Sequence, residues 1–172
     1  MLSKKTRYAL KALVVLSRNY GKGPLLIADI SSEETIPKKF LEGILLELKN
    51  AGILGSKKGA GGGYYLLRTP EEVMLSQVIR KIGGPIALIP CVSLNFYERC
   101  EECRDEATCG VRDMALRVRD ATLTILTRTS LADLVAREDE LRKKKKQFKA
   151  PKGSHKPKTK PPPSKSRIRR PV

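Results

Sequence analysis

The stretch Pro37-Lys-Lys-Phe-Leu-Glu-Gly-Ile-Leu-Leu-Glu-Leu-Lys-Asn50, with the glycine-rich segment 53–67 behind it, decides the fold of this chain. Its apolar residues recur three or four positions apart, as on one face of a helix: Phe40, Leu41, Ile44, Leu45 and Leu48. Pro37 suits the start of that helix because its φ is already fixed, and Gly52 supplies a stop. We therefore expect a helix over Pro37–Asn50.

The segment after this helix predicts a β-hairpin. Two apolar runs, Ile53-Leu54 and Tyr64-Tyr-Leu-Leu67, flank Gly55-Ser-Lys-Lys-Gly-Ala-Gly-Gly-Gly63. Glycine accommodates the positive φ angles of a turn, and Lys57 and Lys58 lie beside the tip. A glycine-rich loop can instead bind nucleotide phosphates, but no Gly-Lys-Ser/Thr ending opens a helix here.

Further helices are expected around this pair of elements. Residues 24–30 predict a short helix, and the polar residues 31–35 predict a tight turn before the helix already described. Helical periodicity also covers residues 3–20 and 75–82. The fold class is therefore mainly α with a small β-hairpin, a winged helix-turn-helix.

Four cysteines lie within one polar loop, and the rest of the chain contains none: Cys91, Cys100, Cys103 and Cys109. Soft thiolates this close together on a loop can converge on iron or zinc. Zinc ribbons usually carry two Cys-x-x-Cys pairs, whereas this loop has one, so an iron–sulfur cluster is the preferred interpretation. Zinc and redox-active or incidental thiols stay open as alternatives.

The cysteines are not expected to form disulfides. The first eight residues lack the apolar run of a signal peptide, and no stretch of about 18 apolar residues could cross a membrane. We therefore expect a soluble, cytoplasmic protein with reduced thiols and no membrane partner.

A long amphipathic helix is predicted from Val111 onward. Its apolar residues alternate at spacings of three and four, in the manner of an a/d seam: Val111, Met114, Val118, Ala121 and Ile125. Such a seam can pack on its own domain, but a winged helix is small, so we expect it to meet a second copy in a homodimer. Ser130-Leu-Ala-Asp133 resembles a capping box and predicts a final short helix.

The positive charge is concentrated at the C-terminus. The chain has 35 basic and 18 acidic residues, a formal charge of +17. The last 31 residues hold 14 of the bases and no acid, which leaves 21 basic and 18 acidic residues, or +3, in positions 1–141. With few apolar residues to bury, this tail is predicted to be disordered. It suits either a polyanion-binding arm or a solubilising extension.

Four regions follow from these patterns. They are a winged helix-turn-helix domain (1–84), a cysteine loop (85–110), a dimerisation helix with a short C-terminal helix (111–141) and a basic tail (142–172). The only histidine, His155, lies in the tail, which removes Ser-His-Asp, Cys-His and most zinc-hydrolase chemistry from the folded part. We expect no enzymatic activity.

The order of winged helix, cysteine loop and long helix resembles the Rrf-type family of bacterial regulators, whose known members include the IscR and NsrR kinds. The resemblance is carried by Thr6–Leu10, Ile27–Ile30, Ile36–Glu42, Gly59–Tyr64 and Ser130–Leu134. It implies a homodimeric, DNA-binding transcription regulator whose iron–sulfur cluster reports redox state, oxygen, nitric oxide or iron–sulfur status. A 2Fe–2S cluster is favoured over a 4Fe–4S cluster.

The resemblance also implies site residues. The second helix of the motif would present five residues to the major groove: Pro37, Lys38, Lys39, Glu42 and Gly43. The wing would bring Lys58, beside Lys57, to the minor groove. Gly43 stands where the IscR type has a longer polar side chain, and Lys58 replaces an arginine, so the operator of that type is not carried over to this chain.

The cysteine ligands also depart from the family pattern. The IscR type uses a histidine three residues after the last cysteine, where this chain has Arg112; the NsrR type uses a carboxylate from the first helix, but no acid precedes Asp29 here. Cys100 is an additional thiol, so four cysteines of one subunit are the expected ligand set, with three cysteines and a different fourth ligand as the alternative. The alternatives are a zinc-stabilised DNA-binding protein without sensing and a small iron–sulfur electron-transfer or assembly protein.

Overall fold

The computed structural model describes residues 2–149 of the chain. Six α-helices are found in this range: α1 (Lys4–Arg18), α2 (Ile27–Glu34), α3 (Lys38–Asn50), α4 (Leu75–Gly83), α5 (Gly110–Arg128) and α6 (Leu131–Lys149). Two strands, β1 (Leu54–Lys57) and β2 (Gly63–Leu66), form an antiparallel hairpin, and a 3-10 turn spans Pro90–Val92. The winged helix-turn-helix predicted from the sequence is confirmed.

The core is built around α1, which packs against α2, α3, α4 and α6. Its buried residues are Thr6, Ala9 and the run 12–17, and apolar side chains of α2, α3, α4, α6 and the hairpin pack around the apolar ones. The largest fully buried side chains include Leu13 of α1, Ile30 of α2, Leu45 of α3 and Leu131 of α6. The helix-turn-helix and the last helix therefore share one core.

The second helix does not begin where the sequence predicted. Residues 24–26 are extended, because Leu25 pairs with Tyr64 of β2 through two backbone hydrogen bonds of 2.9 and 2.8 Å. The helix starts only at Ile27 and runs through the serines expected in the turn. The turn is consequently shorter, and Thr35 adopts a left-handed conformation (φ 53°) within it.

The last helix is also longer than predicted. Instead of a short helix followed by a disordered tail from residue 142, α6 continues to Lys149. Lysine and arginine are good helix formers, and Arg142 pairs with Glu138 one turn earlier at 2.9 Å, which supports this continuation. The predicted disorder of residues 150–172 lies outside the described residues.

The capping box at the start of α6 is confirmed. The backbone N–H of Ser130 donates to Asp133 Oδ2 at 2.8 Å, and the N–H of Asp133 donates to Ser130 Oγ at 3.1 Å. These hydrogen bonds lower the pKa of Asp133, since they favour its ionised form. Between residues 2 and 149, no helix combines the length and apolar character required to cross a bilayer.

Candidate functional site: the helix-turn-helix surface and the cysteine loop

One side of α3 is buried and the other faces solvent. Leu41, Ile44, Leu45 and Leu48 are buried in the core. The five residues predicted to read DNA are all exposed: Pro37, Lys38, Lys39, Glu42 and Gly43. Within the described range, neither Glu42 nor the two lysines forms an ion pair. Their charged groups are available to an external partner.

Leu46 belongs to the same outer surface and was missed by the sequence interpretation. Its side chain is 51% exposed, although leucine usually lies in the core. Its spacing of four residues from Glu42 and three from Gly43 places it on the outer face, and this spacing could have identified it.

The turn before α3 is held by a local pair of hydrogen bonds. Ser31 Oγ donates to the carbonyl of Ile36 at 2.6 Å, and the Ile36 N–H donates to the carbonyl of Ser31 at 3.1 Å. Ile36 is itself buried. Farther along, Phe40 packs edge-on against Tyr8 of α1 with ring centroids 5.7 Å apart. These contacts hold the turn at the start of α3 and pack the first turn of α3 against α1.

The wing is a tight turn that only glycine can build. A side chain at Gly62 would collide with the backbone carbonyls of Lys57 and Gly59, and one at Gly63 (φ 145°) would collide with the carbonyl of Leu25. Lys57 and Lys58 are exposed at the tip. The hairpin therefore presents two ammonium groups to solvent.

The cysteine loop joins this domain to α5. Cys91 lies in the 3-10 turn and is buried with Val92 against Ala115 of α5. Cys109 is the N-cap of α5, where its sulfur accepts a hydrogen bond from the N–H of Arg112 at 3.4 Å. One predicted ligand thus begins the helix that carries the predicted dimer seam.

The environments of Cys103 and Cys109 shift their pKa values in opposite directions. The N–H of Arg112 lowers the pKa of Cys109, with a further contribution from the neighbouring Cys103 side chain. Desolvation, followed by the interaction with Cys109, raises the pKa of Cys103. A thiolate at a helix N-terminus beside a second thiol is a donor set suited to iron or zinc.

The structure brings some of the four thiols together. Cys109 and Cys100 both contribute to raising the pKa of Cys103, so these three residues lie near one another. Cys100 itself is exposed. Cys91 lies in a separate apolar cluster. In the range 2–149, no three His, Cys, Asp or Glu side chains are arranged to hold a metal ion. The four-cysteine centre therefore stays a prediction.

Glu106 connects the cysteine loop to α5. No local sequence pattern predicted this role. It accepts a hydrogen bond from the Tyr97 hydroxyl at 2.7 Å, and Arg112 Nε lies 3.5 Å from its other carboxylate oxygen. The hydrogen bond to Glu106 is the main reason that the pKa of Tyr97 is raised. From the other end of the loop, Arg119 of α5 donates to the carbonyl of Val92 at 2.7 Å.

The predicted seam of α5 is exposed along its whole length: Val111, Met114, Val118, Ala121 and Ile125. The opposite side of the helix carries the buried Ala115 and the partly buried Leu126, which pack on the cysteine loop and the main core. The α5 seam is therefore not used by the chain's own fold in the described range.

Comparison with known proteins places these features in one context. The family model "Rrf2: Iron-dependent Transcriptional regulator" matches residues 2–137. An rrf2-like HTH-type transcriptional regulator of Rhodobacter capsulatus is 40% identical over 139 residues, which are 79% of this chain and 93% of the relative. The HTH-type transcriptional regulator IscR of Sodalis glossinidius is 28% identical over 140 residues, 81% of each chain.

A solved structure agrees with the fold. CymR of Bacillus subtilis, described as its global cysteine regulator, superposes with a TM-score of 0.66 at 31% identity. The match covers 79% of this chain and 96% of CymR. The family match, over residues 2–137, includes the winged domain, the cysteine loop and α5 and ends before the basic C-terminal segment.

Proposed function

Because the chain belongs to the Rrf2 family of iron-dependent transcriptional regulators, and is thus a DNA-binding regulator rather than an enzyme, we propose that it is a homodimer whose operator affinity depends on a cysteine-ligated iron–sulfur cluster. One observation carries this proposal: Cys109 is the N-cap of α5, the same helix that exposes the apolar seam. A change at the thiols would reach the dimer interface through a single rigid element.

In this proposal α3 reads the major groove and the wing contacts the minor groove. Glu42 accepts a hydrogen bond from cytosine N4, and Leu46 offers an apolar contact for a thymine methyl group. Lys38 and Lys39 bind phosphates near the N-terminus of the helix, while Lys58 enters a narrow groove of negative potential. These roles are supported by the exposure of the residues and by the lack of ion pairs to their charged groups within residues 2–149.

The α5 seam of one protomer packs against that of its partner. Five exposed apolar side chains on one face are more than an isolated surface helix needs, and burying them removes apolar area from water on both copies. A twofold dimer then holds two recognition helices at the spacing of two half-sites.

Cys91, Cys100, Cys103 and Cys109 would hold the cluster, with 2Fe–2S favoured over 4Fe–4S. When bound, such a cluster supplies a redox-responsive centre whose ligation depends on thiolates. The backbone N–H of Arg112 already favours the ionised form of Cys109 that a cluster would require. Arg119 and Glu106 connect the two ends of the loop to α5, so a change in the loop would reach the dimer seam and would bias a two-state dimer geometry.

The test is a comparison of operator affinity between cluster-loaded and cluster-free dimers at fixed salt. The protein is purified without oxygen and its iron, sulfide and zinc are quantified; a duplex selected from a random library serves as operator. We expect thiolate-to-iron absorption and an affinity that changes by about 5- to 150-fold on cluster loss, the usual size of allosteric coupling. Serine at Cys91, Cys103 or Cys109 removes the colour.

Each contrary result points elsewhere. An affinity ratio of one removes sensing even if iron is bound. Stoichiometric zinc without sulfide replaces the proposal with a structural metal in a DNA-binding protein. Iron and sulfide with no selected duplex indicate an electron-transfer or assembly protein.

A further inference from the structure

The C-terminal part of α6 leaves the winged domain beside the helix-turn-helix. Leu141 lies in a groove formed with Leu10, Lys11 and Val14 of α1 and with Glu34, the last residue of α2. Glu34 is three residues before Pro37, which is the N-cap of α3. The chain therefore enters its most basic region close to the surface that faces DNA.

The position of α6 on the domain is set by specific contacts. Leu131 is fully buried, and the capping box fixes the first turn. Farther along, Arg18 of α1 forms ion pairs with Glu138 at 2.8 Å and with Asp139 at 2.7 Å. These contacts span two turns of the helix, so its direction past α1 is determined by the fold.

From Lys143 to Lys146 the positive charge of α6 is uncompensated in the described range. Glu138 is already occupied, with one carboxylate oxygen bound to Arg18 and the other to Arg142. Lys143, Lys144, Lys145 and Lys146 are exposed and form no salt bridge in the part of the chain that the structure describes. No acidic residue follows Glu140, and residues 142–172 contain 14 lysines and arginines.

The arrangement of Lys143–Lys146 on α6 suits a partner that is bound through its charge alone. Four consecutive helical residues are about 100° apart and so point to all sides of α6. The eight residues after Leu141, up to Lys149, extend the helix by about 12 Å beyond the groove. Such an arrangement presents positive charge in every direction, which matches a phosphate backbone better than a patterned protein surface.

We infer that the exposed helical run Lys143–Lys146 of α6 is a second DNA-binding element, which binds the phosphates of the duplex flanking each half-site without reading its bases. This inference rests on the proposed function of the helix-turn-helix. Its separate contribution is affinity and salt dependence, not sequence preference, because phosphate contacts release counterions whatever the sequence.

The experiment uses the full chain and a variant with Lys143, Lys144, Lys145 and Lys146 all changed to Gln. Glutamine keeps the helix propensity and removes the charge. Changing the same four residues to Arg is the matched control, since it keeps the charge. Affinity is measured against salt on the library-selected duplex, on a random duplex of equal length, and on a short duplex without flanks.

We expect the glutamine variant to lose affinity for the selected and random duplexes by a similar factor. The slope of log K against log salt should become shallower by about 1 for each lysine that engages a phosphate. The arginine variant should behave as the wild type, and on the short duplex all three proteins should bind alike.

An unchanged salt slope in the glutamine variant would overturn the inference while leaving the proposed function intact, provided that Lys58→Ala still weakens operator binding. If no duplex is selected at all, the proposed function itself fails. Loss of binding to RNA or to anionic phospholipid vesicles, with DNA affinity unchanged, would assign the segment to a different partner and overturn the inference as well.

Discussion

At the scale of single residues, Glu42 and Lys58 are expected to affect different properties of DNA binding. Glu42 should determine base preference, and Lys58 should contribute mainly to affinity. A groove-facing carboxylate discriminates between bases, whereas a wing lysine contributes charge to any narrow groove. Lys58→Ala should weaken operator binding by about 1–3 kcal/mol, and Glu42→Ala should relax base preference more than affinity. Fluorescence anisotropy with the operator and single-base variants measures both quantities.

Lys81 provides the control for these substitutions. It is an exposed lysine of α4 that borders the cysteine loop rather than the wing. Lys81→Ala should leave operator affinity within twofold of the wild type, a difference of about 0.4 kcal/mol. Equal losses for Lys58→Ala and Lys81→Ala would mean that net charge, and not the position of the wing, determines binding.

At the scale of secondary-structure elements, the contact between α1 and α6 predicts a pH-dependent stability. Arg18 lowers the pKa of both Glu138 and Asp139 in the folded state. Their stabilising effect is therefore fully present above the unfolded pKa of about 4 and is lost as pH falls through the folded values. Arg18→Gln should lower Tm at neutral pH by on the order of 2–4 °C.

The difference in Tm between Arg18→Gln and the wild type should shrink as pH is lowered below about 4, where the carboxylates become protonated. Arg117→Gln is a suitable control, because its pairing with Asp113 within α5 is highly exposed. Differential scanning calorimetry across pH 3–7 follows both variants. A difference for Arg18→Gln that is constant over this range would exclude the ion pairs as its cause.

At the scale of the whole molecule, the α5 seam is expected to make the dimer. Val118→Glu would bury two carboxylates without partners at a twofold interface, a cost of about 3 kcal/mol or more. This should raise the dimer dissociation constant more than about 100-fold, and operator affinity should fall with it. Sedimentation equilibrium measures the first effect, and anisotropy measures the second.

Thr124→Glu tests whether the effect belongs to the seam. Thr124 is exposed on the same helix, about 120° around its axis from Val118, and its hydroxyl bonds only within the helix. The Thr124→Glu variant should remain dimeric. A wild-type protein that sediments as a monomer would contradict the proposed assembly, whatever the variants do.

The amino-acid sequence by itself determined those parts of the molecule whose causes are local. The spacing of Leu41, Ile44 and Leu48 gives α3 a buried face and leaves its outer residues to solvent. The glycines of the wing and the Ser130–Asp133 capping box act within a few residues of themselves. The exposed seam of α5 was predictable for the same reason, because a helical period is a property of neighbouring residues.

Only the tertiary structure decided features that depend on residues far apart in the chain. The pairing of Leu25 with Tyr64 delays the start of α2, and Arg18 holds α6 through Glu138, 120 residues later in the chain. Cys91 is buried in an apolar cluster with Val92 and Ala115, although the sequence spacing groups it with three more exposed thiols. Such contacts leave no periodic trace in the sequence, because their free energy is gained only when distant segments meet in the folded core.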